Sequence, residues 1–90
     1  MNHESENHVY ERTVELSNRA RGIIIGRGGK NIRCIQDTYG VEISLKSMYG
    51  GLMSATVKCT THPDYAYAHS KIDGAIATLT TIASNYIRKS

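Results

Sequence analysis

The stretch that most constrains this chain is Ile23-Ile24-Ile25-Gly26-Arg27-Gly28-Gly29-Lys30-Asn31-Ile32-Arg33-Cys34-Ile35. Three β-branched residues run into a glycine cluster, and apolar residues resume at Ile32 and Ile35 with helical spacing. Gly26-Arg27-Gly28-Gly29 cannot be the interior of a stable helix, because each Gly there costs about 0.8–1 kcal/mol relative to Ala. Such a stretch can turn sharply with φ positive and leave backbone N–H groups exposed. A tight glycine turn that opens a helix suits a phosphate, since the first N–H groups lack partners and the helix dipole favours an anion. Arg27 in the turn and Lys30 beside it add positive charge.

Two phosphate loops fail on this stretch. The pattern G-x-x-x-x-G-K-[ST] needs Gly at position 24 and Ser or Thr at position 31, where Ile24 and Asn31 stand. The dinucleotide pattern G-x-G-x-x-G fits Gly26 and Gly28 but meets Asn31 at its third glycine. It also needs a long βαβ unit, for which the chain is too short once a catalytic domain is added.

The segment Ile24-Ile25-Gly26-Arg27-Gly28-Gly29-Lys30-Asn31-Ile32-Arg33-Cys34-Ile35 instead resembles the KH domain, a small module that binds single-stranded nucleic acid. Every fixed position of the family pattern I-I-G-x-x-G-x-x-I-x-x-I matches, and so does Gly22, two residues before the isoleucine pair. Downstream, Gly40 followed by the alternating Val41-Glu42-Ile43-Ser44-Leu45 also fits, with Tyr39 where the family often has Thr. Ser17 and Arg21 replace a frequent Pro and a frequent aliphatic residue. The resemblance covers about residues 9–88.

Ninety residues make one small domain. A chain of this size buries about 60–65% of its unfolded surface, which leaves no room for a deep enzyme cleft. No apolar run approaches the ~20 residues of a membrane span, and the N-terminus has neither the basic nor the apolar region of a secretory signal. Cys34 and Cys59 lie in no metal-ligand spacing and read as two reduced thiols, Cys34 inward on a helix and Cys59 at a strand end. An intracellular setting, cytoplasmic or nuclear, is the expectation. Net charge is only +3, but it is uneven. Glu4, Glu6, Glu11 and Glu15 precede the glycine stretch, whereas Arg19, Arg21, Arg27, Lys30 and Arg33 crowd residues 17–36 with no acid among them. A block like this is a solvated face or an electrostatic footprint for a phosphate backbone; around a glycine loop it reads better as the second.

Taken in order, residues 1–8 form a polar, disordered tail and 9–90 the domain. A strand is expected over 9–16, with Tyr10, Val14, Leu16 and an edge-strand Arg12 on one face. Ser17 or Asn18 caps a short helix reaching about Ile24. A second helix spans about 30–39, stopped by Gly40. Strands follow over 41–45 and 54–60, joined by a loop over 46–52 that holds a glycine pair. Thr61-His62-Pro63-Asp64 looks like a helix start, and the last helix reaches about Arg88 with an apolar stripe at Tyr65, Ala68, Ile72, Ile76, Leu79, Ala83 and Tyr86. Gly74 interrupts it, and close approach to the sheet is one reason for a missing side chain. The order βααββα makes an α+β layer, a three-stranded antiparallel sheet with three helices on one face, in the eukaryotic (type I) KH order.

The resemblance implies a groove between the first helix, glycine loop and second helix on one side and the second strand with its loop on the other. Such a groove holds about four unstacked nucleotides. The implied binding residues are Gly22, Ile24, Ile25, Gly26, Arg27, Gly28, Gly29, Lys30, Arg33 and Ile43, with Arg21 and Tyr49 added. Gly26 and Gly29 turn the chain, Arg27 and Gly28 touch phosphate, and Lys30 and Arg33 supply charge. Ile24 and Ile25 offer a floor for bases, and the strand edge at Ile43 offers backbone groups. Ile25, Ile32, Ile35 and Ile43 also serve plain core packing, so Ile24 is the better groove candidate. Arg19 and Arg21 read equally as a solvated helix face, and Tyr49 as a loop residue without a role. His62 and His69 lack the partners of a metal site. No catalytic constellation, metal or cofactor is indicated. The partner is single-stranded RNA, with single-stranded DNA as a variant, and a second copy of the chain or a neighbouring RNA-binding domain is expected beside it. The alternative, from another class, is a KH-fold protein-interaction or dimerisation unit.

Overall fold

In a computed structural model of the protein the described residues are 8–61 and 65–89. Residues 1–7 of the expected tail and 62–64 of the expected helix start lie outside them. Strand β1 is His8–Ser17. Ser17 ends it, and its hydroxyl accepts from the Arg19 N–H at 3.2 Å to cap a short 3-10 turn, Asn18–Ala20. Helix α1, Arg21–Ile25, follows, then a glycine turn, then α2, Lys30–Tyr39. Strands β2, Glu42–Ser47, and β3, Leu52–Thr61, precede the long α3, Tyr65–Lys89. The α+β order βααββα thus holds, and Thr61 is the last residue of β3.

The sheet order is β1-β3-β2, all antiparallel. The central β3 shows the alternation that places the helices: Met53, Ala55, Val57 and Cys59 are buried, while the residues between them are half-buried. The opposite face is polar, with Thr13 and Thr56 hydroxyls 3.0 Å apart across β1 and β3. Leu16, Ala20, Ile24, Ile35, Val41 and Ile43 complete the core with Ala68, Ile72, Ala75, Leu79 and Ala83 from α3. Ala75, absent from the expected stripe, is fully buried. Arg12 faces the helices from β1 and pairs with Asp73 of α3 at the surface.

Gly74 departs from expectation in its cause. The group nearest to it is the ring of Tyr39, not the sheet. A Cβ on Gly74 would lie 2.6 Å from Tyr39 Cε1, and the Tyr39 hydroxyl is 2.8 Å from Thr78 Oγ1. Helix α2 ends as its sequence indicates. Gly40 takes the left-handed conformation at φ 66° and donates its N–H to the Gln36 carbonyl. The Val41 N–H donates to the same carbonyl at 3.0 Å. Lys71 of α3 reaches the Tyr39 carbonyl at 3.4 Å, placing a cation at the negative end of α2.

Candidate nucleic-acid interface

The glycine turn is built by residues on both sides of it. Gly26 has φ 76° and ψ 173°, a region open essentially to glycine alone. A Cβ there would also sit 2.6 Å from Asn31 Cβ and 2.8 Å from Asn31 N. Asn31 stands that close because its side-chain amide caps α1, donating from Nδ2 to the Ile23 carbonyl at 3.0 Å. The Gly29 N–H donates to the Gly26 carbonyl at 3.1 Å and the Lys30 N–H to the Arg27 carbonyl. The Arg27 and Gly28 N–H groups stay outside this pairing, at the tip. Gly28, φ 62°, has open space where a side chain would be. Its carbonyl accepts from Arg33 Nη2 at 2.8 Å, so α2 grips the turn by a side chain one helical turn inside.

Arg27, Gly28, Lys30 and Arg33 line one surface depression along α2 with Cys34, Asp37 and Thr38. Gly26, Arg27, Lys30, Asn31 and Cys34 line an adjoining one. Arg27, Gly28, Lys30 and Arg33 are exposed. The fold therefore gathers three of the expected cations on one face, with one acid, Asp37, at its far end. Arg21 stands apart from it: it is half-buried, and its Nη1 is buried without a hydrogen-bond partner among the described residues. Tyr49, at the tip of the short 3-10 turn Tyr49–Gly51, is 98% exposed. Gly22 is exposed on α1 with nothing near the place of a Cβ.

Two expectations are corrected. Ile24 is fully buried and packs in the core, so it is no floor for a base; of its neighbours, Ile25 is half-buried and Ile23, 45% exposed, lines a depression with Ile82, Asn85 and Tyr86 of α3. Cys34 is exposed rather than inward. The Ile43 side chain is buried, and the backbone of Ile43 is what reaches the edge of β2. Its N–H donates to Gln36 Oε1 at 2.8 Å. Sequence reasoning missed Asn31, which holds the loop, and Gln36; Asn31 stands inside the recognised pattern, and Gln36 one residue beyond it.

This sequence pattern and fold have counterparts. The KH domain family matches residues 11–63, more than half of the chain. The chain belongs to the KH domain family. No curated protein matches it. Among solved structures it is similar to the solution structure of the 14th KH type I domain of human vigilin. The TM-score is 0.66 and the identity 24%, over 91% of this chain and 79% of that one, a likeness of fold. This is the type I KH arrangement. Membership in the KH family supports nucleic-acid binding, and KH domains are known as non-catalytic RNA-binding modules.

Proposed function

We propose that this KH domain binds single-stranded RNA without catalysis, holding about four nucleotides between the α1–loop–α2 wall and β2. The observation that carries the reading is the loop tip. Arg27, Gly28 and Lys30 are all exposed there, and a bare Gly28 lets a phosphate approach the backbone without obstruction. Gly22, equally bare, leaves the surface before the loop flat. Ile25, half-buried, supplies the apolar floor, and the edge of β2 at Ile43 meets base edges. Tyr49, 98% exposed, stacks on a base beyond the strand. Single-stranded DNA is the variant ligand. An intracellular compartment fits two free thiols.

Such a site binds weakly, near −6 to −8 kcal/mol, or roughly tens of micromolar to a few micromolar. A second copy of the chain or a neighbouring RNA-binding domain, engaged on the β1 edge or α3, would raise the effective concentration without new contacts. The deciding experiment is Arg27→Asp with Gly28→Asp. Both positions are exposed, and Asp tolerates the left-handed backbone at 28 better than most residues. RNA binding is lost while circular dichroism is unchanged. A double variant that binds RNA as the parent does sinks the reading and favours a protein-interaction unit.

A further inference from the structure

We infer that Gln36 is the placeholder of the β2 edge: its side-chain carbonyl holds the Ile43 N–H in the free protein, and a bound base takes that N–H from it. The inference rests on the RNA-binding reading above. Strand β2 lies at one end of the order β1-β3-β2, so among the described residues one of its edges carries no strand. A lone edge N–H above a buried side chain needs an acceptor. At Ile43 the acceptor is Gln36 Oε1, at 2.8 Å. In an antiparallel strand the N–H and C=O of one residue point to the same side, so the Ile43 carbonyl faces the same open edge. The edge thus offers a donor and an acceptor side by side, the pair that one base edge can satisfy, with the donor already occupied.

The exchange is local. The Gln36 backbone is fixed, because its carbonyl takes the N–H groups of Gly40 and Val41. Only the side chain has to swing, and Gln36 is half-buried rather than enclosed. The bond it releases is neutral, between an amide and a backbone N–H, and a ring nitrogen or carbonyl of a base replaces it in kind. Gln36 therefore lowers the affinity of the site by the worth of one such bond, while keeping the edge satisfied and closed to other strands when no ligand is present.

The test uses a pool of random octanucleotide RNAs and two readouts. In the parent, backbone amide resonances are followed through the titration. The Ile43 amide and the Gln36 side-chain amide shift together with Gly28. In Gln36→Met, which keeps the length and removes the acceptor, the same pool binds about two- to tenfold tighter. If Gly28 shifts while Ile43 and the Gln36 amide stay still, the placeholder role is overturned and RNA binding stands. A folded Gln36→Met protein that binds equally or more weakly overturns it as well. If neither Gly28 nor Ile43 responds, the RNA-binding reading itself falls, and this inference with it.

Discussion

The Tyr39 ring fills the place of the side chain that Gly74 lacks. A Cβ at position 74 would meet Cε1 at 2.6 Å and Cδ1 at 3.0 Å. The ring cannot simply withdraw, because its hydroxyl is bonded to Thr78, one turn further along α3. Two elements remote in sequence are thus fitted to each other by one large and one absent side chain.

From that fit follows a non-additive pair. Ala in place of Gly normally stabilises a helix interior by about 1 kcal/mol. Here Gly74→Ala lowers stability instead, because overpacking costs about 1–3 kcal/mol. With Tyr39→Thr already present, the same change stabilises. Urea denaturation of the four proteins of the cycle measures the coupling. A stabilising Gly74→Ala in the parent would contradict the contact.

The loop glycines differ in what they tolerate. Gly26→Ala meets Asn31 as well as forbidden backbone, and it costs about 3 kcal/mol or more. Gly28→Ala meets open space and costs about 1–2 kcal/mol for its left-handed conformation. Thermal melts separate the two, and equal losses would show that the turn is not built as described.

The isoleucine run divides between stability and binding. Ile24→Ala removes a fully buried side chain and destabilises by about 2–5 kcal/mol. Ile25→Ala, at a half-exposed position, costs less stability and weakens RNA binding more. The outcome to look for is opposite ranking in denaturation and in titration. The same order in both would make Ile25 an ordinary core residue.

Salt distinguishes cations that meet phosphate from those that hold the loop. Two or three neutralised phosphates give a slope of log K against log[salt] of about −1.4 to −2.1 for a single strand. Arg27→Ala flattens the slope by about 0.7. Arg33 already grips the Gly28 carbonyl, so Arg33→Ala weakens binding and leaves the slope nearly unchanged. An equal change of slope in both variants would place Arg33 on phosphate instead.

Much of this architecture is legible in the sequence, because its punctuation is local. The glycine turn, the Gly40 stop, the alternation across β2 and β3 and the long stripe of α3 each announce themselves within a few residues. What escapes is of two kinds. Helix α1 is five residues long, too short for periodicity to set its phase, so Ile24 and Ile25 exchange roles between expectation and structure. The other kind is contact at a distance. Nothing near Gly74 announces Tyr39, and nothing near Gln36 announces the N–H of Ile43. Cys34 stands beside the buried Ile35 in sequence yet turns outward, since one helical step is enough to leave a narrow apolar stripe.

Arg12 bears on how β1 finds its place. It lies opposite Val57 on the helix side of the sheet, where Asp73 receives it. Sliding β1 by one residue along β3 would turn Arg12 outward, away from Asp73, and aim Glu11 and Thr13 at the apolar layer. The exposed ion pair adds little to the free energy of the native sheet. The larger penalty of the one-residue slip is the burial of Glu11, and of these two frames only the native one both covers the core and neutralises the arginine.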